Sequence, residues 1–361
     1  MAKFIIVALT VMLVMQGFVM WHVWRVLPLS TPIKLVIILL MLGALACMVL
    51  QFKSDAMPLG LATATYEIGN SWLVIMFYLL MVFLALDLGR MLHLVPASWL
   101  KANGITSLAI SGAMAVTFIA GNIHYHNKAR QEIHLTTDKQ LEKPLEIVML
   151  SDIHAGHHNR RAEVGRWVDM VNAESPDLVL IAGDIIDGNA RAVVEYGTLE
   201  ELKRLNAPAI ACLGNHEYIT GIDKSVALIE QAGITLLRDE AVTMAGVTII
   251  GREDRSNSLR KSVKTLMQDM DRSQYIILLD HQPYNLEETE RNGVDLQLSG
   301  HTHRGQVWPL NWVTHAMYEC DYGQWKRGNT NYYVSSGIGL WGGKFRIGTS
   351  SEYVVIHISG S

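Results

Sequence analysis

Residues 145–154 read Leu-Glu-Ile-Val-Met-Leu-Ser-Asp-Ile-His, an apolar run that ends in an aspartate and a histidine. A short run rich in Ile, Val and Leu is typical of a buried β-strand. Downstream of it, similar runs alternate with amphipathic stretches of helical length, which indicates βαβ units. The predicted strands are 145–150, 177–182, 209–213, 275–279, 295–298, 332–335 and 353–358. The predicted helices are 162–173, 195–205 and 262–270.

Polar side chains follow five of these strands, at the point where each strand ends. The segments are Ser151-Asp152-Ile153-His154, Gly183-Asp184, Gly214-Asn215-His216-Glu217, Asp280-His281 and Gly300-His301-Thr302-His303. In open α/β sheets, ligands bind in the crevice outside the carboxyl ends of the strands. We therefore expect these five segments to meet in one crevice, although they span about 150 residues of sequence.

The residue types in this set are those of a metal site. Carboxylate and amide oxygens combined with imidazoles suit manganese, iron or zinc, and they are more numerous than one ion can use. Asp152 and His154, two apart on an extended end, face the same side and could share one ion. Asp184 could bridge two ions, and His301 and His303 could reach both. Two such ions would clamp the attacking and leaving oxygens of a displacement at phosphorus.

The motifs Asp-x-His, Gly-Asp, Gly-Asn-His-Glu, a lone His and Gly-His-Thr-His occur here in that order. This order resembles the calcineurin-like metallophosphoesterase superfamily, and most closely a bacterial membrane-associated branch, over residues 145–361. The resemblance implies two packed β-sheets flanked by helices. It also implies that Asp152, His154, Asp184 and His303 hold one ion, that Asp184, Asn215, His281 and His301 hold the second, and that His216 acts as the acid or orienting group. Where that branch often has Gly after the last motif histidine, this chain has Arg304.

The first third of the sequence has a different character. Residues 1–125 contain only six basic and three acidic residues, which leaves 24 basic and 31 acidic residues for the remainder. An uncharged run of 21 residues, 4–24, matches the thickness of a bilayer core. It ends in Trp21, His22, Trp24 and Arg25 rather than in the small residues of a signal-peptide cleavage site. Four membrane spans are predicted, at 4–24, 35–52, 71–86 with extension at one or both ends, and 105–123.

These observations predict a four-helix transmembrane domain over 1–124, a tether over 125–144 and a metallophosphoesterase domain over 145–361. Four spans place the N-terminus and the large domain on the same side of the membrane. Six basic residues near span ends on that side, against four on the other, favour the cytosol. The three cysteines, Cys47, Cys212 and Cys320, are scattered, so a disulfide framework or a thiolate zinc site is not expected.

The expected function is hydrolysis of a phosphate ester or pyrophosphate by metal-activated water. Four spans exceed the need of a simple anchor, so a lipid-linked or membrane-proximal substrate is expected. A nuclease is the first alternative, but the net charge of −7 over residues 126–361 opposes nucleic-acid binding. A metal-binding membrane sensor or scaffold without catalysis is the second alternative. Arg304 and Arg346 could each clamp a phosphate or be structural arginines. The sequence does not indicate an oligomeric state.

Overall fold

The computed structural model of the chain describes residues 2–360. The chain divides into two compact units, and the division falls between Asn122 and Ile123. The first unit is helical, and the second contains all twelve strands of the described residues.

The four long helices each contain a stretch long and apolar enough to cross a membrane. They are α1 (Ala2–Val26), α2 (Thr31–Leu50), α3 (Leu59–Met91) and α4 (Gly104–His126). Each coincides with a predicted span. Helix α3 has 33 residues, against an uninterrupted apolar core of 16 residues in the sequence, because Glu67, Asp87 and Arg90 are all helical.

Packing within the first unit combines apolar and polar contacts between helices. Val19 of α1 and Met76 of α3 are fully buried in its core. The indole of Trp72 donates a hydrogen bond of 2.9 Å to Gln16, which joins α3 to α1. The carboxylate of Asp87 lies 3.0 Å from the imidazole of His22, whereas Arg90 is 3.9 Å away. Polar contacts of this kind hold helices together in lipid.

The second unit is an α/β domain with two six-stranded sheets. Its strands are β1 (Ala129–Thr137), β2 (Leu145–Leu150), β3 (Leu178–Ala182), β4 (Ala209–Cys212), β5 (Thr235–Leu236), β6 (Glu240–Met244), β7 (Val247–Gly251), β8 (Tyr275–Leu279), β9 (Leu296–Ser299), β10 (Gly323–Arg327), β11 (Thr330–Val334) and β12 (Glu352–Gly360). Its helices after α4 are α5 (Arg161–Ala173), α6 (Ala190–Tyr196), α7 (Asn215–Thr220), α8 (Ile222–Gln231), α9 (Val263–Leu266), α10 (Leu286–Arg291) and α11 (Leu310–Met317).

The two sheets pack face to face and bury an apolar core between them. One sheet has the order β1-β12-β2-β3-β4-β5, and the other has the order β10-β11-β9-β8-β7-β6. Met149, Leu180, Ile249 and Ile277 belong to the core between the sheets. Helix α5 covers the outer face of the first sheet through Trp167 and its neighbours. The expectation of an α-helical first part followed by two packed β-sheets flanked by helices is confirmed.

Strand β1 lies inside the segment that the sequence analysis assigned to a tether. It pairs in parallel with β12 along nine residues, from Ala129 opposite Glu352 to Thr137 opposite Gly360. Its apolar residues Ile133 and Leu135 are buried. Only Asn127 and Lys128 therefore separate α4 from the first sheet. The sequence of 129–137 is rich in polar residues because one face of the strand is exposed, and for this reason the strand was not predicted.

The predicted helix 195–205 is wrong in detail. The chain forms α6, then turns at Gly197 with a left-handed φ of 61°, and continues as a 3-10 helix over Thr198–Arg204. Glycine adopts this conformation without a steric cost, so the amphipathic pattern continues through a helix end.

Candidate metal centre

The predicted site residues lie in the loops at the carboxyl ends of β2, β3, β4, β8 and β9. The backbone is left-handed at five of them, with φ between 46° and 70°, namely Asp152, His154, Asp184, His301 and His303. Asp152 and His154 are therefore not on an extended strand end, and this expectation of the sequence analysis is wrong. Left-handed non-glycine residues cost roughly 1–3 kcal/mol each and concentrate at functional sites.

One group of donor atoms joins Asp152, His154 and His303 within 4.8 Å of one another, all three buried. The Nε2 atoms of the two histidines face each other at 3.2 Å. An oxygen of Asp152 lies 3.4 Å from Nε2 of His303 and 3.8 Å from Nε2 of His154. Gly300 allows this approach, because a β-carbon there would lie 2.3 Å from the carboxylate of Asp152.

A second group joins Asp184, His281 and His301, also within 4.8 Å. Nδ1 of His281 lies 2.7 Å from the carbonyl oxygen of Ala182, which fixes this nitrogen as the donor. Nε2 of His281 is then the atom that faces Asp184, at 3.1 Å. The same oxygen of Asp184 is 3.7 Å from Nε2 of His154. Asp184 is thus the carboxylate that both groups approach.

Asn215 begins α7, directly after Gly214. A β-carbon on Gly214 would lie 2.2 Å from the carboxylate of Asp184, so a glycine is needed at this position for the two loops to touch. The side-chain oxygen of Asn215 is buried and has no hydrogen-bond partner among residues 2–360. An amide oxygen in this state is available as a metal ligand.

His216 pairs with a carboxylate that the sequence analysis did not single out. Its Nδ1 lies 3.1 Å from Asp187, and Asp187 is also 3.6 Å from Nδ1 of His154. Burial opposes protonation of His216, but the charge of Asp184 and the contact with Asp187 outweigh it and raise the pKa of His216 to about 9. His216 is therefore protonated at neutral pH, and its Nε2 is left to donate.

Burial and neighbouring charges shift the pKa values of the other site residues, some upward and some downward. Burial opposes ionisation of Asp184, but the charge of His281 outweighs it and holds the pKa of Asp184 well below its ordinary value. The same pairing raises the pKa of His281 against the effect of burial. Burial, together with the charge of His281, lowers the pKa of His301 to about 4. Burial and the proximity of His154 lower the pKa of His303 well below its ordinary value.

Glu217 is a second residue to which the sequence analysis assigned no role. Its carboxylate is fully buried and accepts hydrogen bonds from the backbone N–H groups of Asp184, Ile185, Ile186 and Gly214, at 2.7–3.1 Å. It thereby joins the loop after β3 to the loop after β4. The position of Glu217 two residues after Asn215 indicated that it lies near the site. Its hydrogen-bonding role could not be predicted, because that role depends on which loops meet in space.

Two further polar residues make buried contacts next to the site residues. The guanidinium of Arg346 is fully buried and donates to the backbone carbonyls of His303, Ser336 and Gly339, so it is a structural arginine and not a phosphate clamp. Asp280 accepts hydrogen bonds from Arg252 and Arg260, at 3.0 and 3.1 Å.

The side chain of Arg304 lies over the ring of Tyr322, 4.3 Å from the ring centroid. Its backbone is left-handed, with a φ of 51°. This conformation accounts for the glycine that the related branch often has at this position, because glycine adopts it without strain.

The loop that carries His154 is also anchored to the last turn of α4. The phenol of Tyr125 is fully buried and donates a hydrogen bond of 2.5 Å to the side-chain oxygen of Asn159. The amide of Asn159 donates in turn to the carbonyls of Ile153 and His154 at 3.0 Å, and to that of Leu340 at 3.1 Å. Two hydrogen bonds therefore connect Tyr125 to a predicted metal-binding loop.

The donor set fits divalent cations. Imidazole nitrogens and carboxylate oxygens lie within 4.8 Å of one another in each of the two groups, and the oxygen of Asn215 has no hydrogen-bond partner among the described residues. Manganese, iron and zinc all accept such mixed ligands. The structure thus brings together Asp152, His154, Asp184, His281, His301 and His303. Asn215 and His216 stand on the adjoining start of α7.

Comparison with known proteins agrees with this geometry. The calcineurin-like phosphoesterase family matches residues 145–305. An uncharacterized metallophosphoesterase of Aquifex aeolicus is 31% identical over 243 residues, which cover 64% of this chain and 92% of that protein. A transmembrane protein with metallophosphoesterase domain from Danio rerio is 27% identical over 352 residues, which cover 91% of this chain and 79% of that protein.

The chain spans only part of other relatives. An uncharacterized metallophosphoesterase of Campylobacter jejuni is 33% identical over 228 residues, which cover 61% of this chain and 60% of that protein. Two metallophosphoesterases of Helicobacter pylori strains are each covered over 65% of their length. The family of this chain follows from the ordered motifs, the two-sheet fold and the almost complete coverage of the Aquifex protein. This chain belongs to the calcineurin-like metallophosphoesterase family.

Proposed function

We propose that this chain is a membrane-anchored phosphoesterase that uses two divalent metal ions. The observation that carries the proposal is the position of Asp184 between two groups of imidazoles, in which His301 alone is partly exposed. Asp152, His154, Asp184 and His303 would hold one ion, and Asp184, Asn215, His281 and His301 would hold the other. The ions, manganese, iron or zinc, would stabilise negative charge on the phosphoryl oxygens and make water acidic enough to attack at neutral pH.

The protein residues supply the proton for the leaving group. His216 lies on the adjoining start of α7, and the contact of its Nδ1 with the Asp187 carboxylate stabilises the protonated ring. Asp187 fixes its Nδ1, so that Nε2–H is the group that can donate to the leaving oxygen. The bond from phosphorus to that oxygen breaks as the proton arrives, and the product leaves as a neutral alcohol or as a protonated phosphate. The carboxylate of Asp187 remains ionised throughout, because its pKa lies far below its ordinary value.

The substrate that we propose is a lipid-linked or membrane-proximal phosphate ester or pyrophosphate. Four helices that can span a membrane precede the domain, and two residues separate the last of them from the first sheet. This connection is short, since two residues reach at most about 7 Å, and it favours a substrate at or near the bilayer. The excess of basic residues on its side of the spans favours the cytosolic face.

Metal content and turnover test the assignment of Asp184. The full chain is purified as wild type, Asp184→Asn, His303→Ala and, as a matched control, Asp223→Asn, which changes an exposed carboxylate of α8. Turnover of bis(p-nitrophenyl) phosphate with added manganese is measured beside metal content. We expect both site variants to lose metal and at least about 100-fold in turnover, because one ligand is missing, while the control keeps both. Full turnover in either site variant would refute the assignment, and a metal-loaded wild type without turnover would favour a sensor or scaffold.

A further inference from the structure

A group of large apolar side chains is exposed on the second unit. It consists of residues on and next to α11 and one residue of the loop between β11 and β12, and we call it the α11 patch. Its members are Trp308, Leu310, Trp312, Val313, Met317 and Trp341, which are 40–64% exposed. The rings of Trp308 and Trp312 contact each other edge to face, with centroids 5.5 Å apart. Clusters of exposed large apolar side chains mark surfaces that bind another protein, a membrane or a ligand.

The patch borders the candidate metal centre. Helix α11 follows the loop of His303 directly, and Gly305 of that loop lies so close to α11 that a β-carbon there would be 2.4 Å from Leu310. The ring of Trp341 lies 6.4 Å from the ring of His216. The amide of Gln306 donates to the carbonyl of Trp341 at 3.2 Å, which joins the two parts of the patch.

The patch also lies near the last turn of α4. The N–H of Trp308 donates to the carbonyl of Ile347 at 2.7 Å, and Gly348 packs on the side chain of Trp308. Two residues further along the chain, the hydroxyl of Ser350 is 3.0 Å from Nε2 of His124. Two residues span about 7 Å at most, so Trp308 is a short distance from the point where α4 ends.

These positions favour the bilayer as the occupant of the patch. Tryptophan is enriched at the membrane–water boundary, where its ring is apolar and its N–H remains hydrated. Trp308 lies close to the end of a predicted span, so the α11 patch is near the point where the chain enters the membrane. We propose that the α11 patch rests in the headgroup region of the bilayer and presents the metal centre to phosphate esters carried by lipids. The substrate part of this inference rests on the proposed phosphoesterase function.

A labelling experiment tests the contact without any catalysis. The full chain is placed in phosphatidylcholine nanodiscs, with a nitrobenzoxadiazole fluorophore on Val313→Cys. Val194→Cys on α6 is the matched control, because these two valines are 51% and 59% exposed. We expect lipids with a doxyl group near the headgroup to quench the label at 313 at least about twofold more than the label at 194. The unsubstituted chain supplies the background from the native cysteines. Equal quenching at both positions would overturn the proposal, as would crosslinks between two copies at 313 without quenching.

A second measurement tests the consequence for substrates. The variant Trp312→Ser, Met317→Ser is compared with wild type on two probes with the same leaving group. One probe is bis(p-nitrophenyl) phosphate in solution, and the other is the p-nitrophenyl phosphodiester of dioleoylglycerol in phosphatidylcholine vesicles. We expect turnover of the lipid probe to fall at least about tenfold, while turnover of the soluble probe stays within about twofold. Equal loss on both probes, or no loss, would overturn the substrate part. A wild type that hydrolyses neither probe would refute the phosphoesterase function, and the labelling result would still decide the membrane contact.

Discussion

At the scale of single residues, two carboxylates that bind no predicted ion organise the metal centre. Asp187 contacts the rings of both His216 and His154, and Glu217 receives four backbone N–H groups from two loops. Residues that orient ligands in this way affect activity nearly as strongly as the ligands themselves.

Replacement of Asp187 tests whether it acts through His216. We expect Asp187→Asn to lower kcat about 10- to 100-fold, because His216 loses the carboxylate that orients its ring and stabilises its protonated form. Kinetics of Asp187→Asn, His216→Ala and the double variant measure the coupling. If Asp187 acts through His216, it has little further effect once His216 is alanine. Independent, multiplicative losses would contradict this role.

Replacement of Glu217 tests the link between the two loops. Glu217→Ala leaves four buried N–H groups without an acceptor, and we expect it to destabilise the second unit by about 4 kcal/mol. The melting temperature of the full chain should fall by about 10 °C. Glu230→Ala, at an exposed position of α8, should change it by less than about 2 °C. Similar melting temperatures for the two variants would contradict the role of Glu217.

The predictability of the site differs from residue to residue. The residues of the two metal groups could be predicted, because a polar residue after an apolar strand is visible in sequence and strand ends converge in α/β sheets. The left-handed backbone of Asp152 and His154 could not be predicted, since nothing in their residue types requires it. The role of Arg346 depends on which carbonyls of a distant loop surround it, and sequence contains no such information.

At the scale of elements, β1 changes where the folded domain begins. Its residues 129–137 alternate in burial, and it forms the edge of the first sheet beside β12. Strands with one buried face resemble polar linkers in sequence when their apolar residues are few, which is why the predicted tether of 125–144 contains a strand. Buried strands such as β2 and β8 were predictable, because both of their faces are apolar.

Two fragments test the contribution of β1. A fragment of residues 145–361 lacks β1 and exposes the edge of β12, whereas a fragment of residues 123–361 retains the pairing. We expect the shorter fragment to aggregate or to melt at least about 10 °C lower, because unpaired strand edges associate and Ile133 and Leu135 are no longer buried. Size-exclusion chromatography and thermal melting compare them. Two equally monodisperse fragments with the same melting temperature would contradict the prediction.

At the scale of the whole molecule, the chain combines a helical unit with an acidic α/β domain of a metal-dependent family. The contrast in composition made this division predictable, and the order of five motifs identified the family. The assignment of sheet partners was not predictable, because β1 and β12 are far apart in sequence. Metal binding connects the site to the stability of the domain, since ions that bind only the folded state stabilise it.

Metal removal therefore tests the centre at this scale. Each ion present at about 100 times its dissociation constant stabilises the fold by about 2.7 kcal/mol, so removal of both proposed ions should lower the melting temperature of the full chain by about 10–20 °C. Addition of manganese or zinc after removal of the chelator should restore the melting temperature. We expect Asp184→Asn to melt at the same temperature with and without chelator, while Asp223→Asn responds as wild type does. A wild type that is insensitive to chelation would count against bound ions.

The pairing of β1 with β12 also has a consequence for synthesis on the ribosome. Strand β1 has β12 as its only neighbour in the sheet, and β12 is made more than 200 residues later. The first strand to emerge must therefore wait beside the membrane, unpaired, until translation of the domain is almost complete. A premature stop codon shortly before residue 352 would leave two open strand edges, on β2 and at β1. Such a truncated product should be a substrate for quality-control proteases, although every residue of the metal centre is present in it.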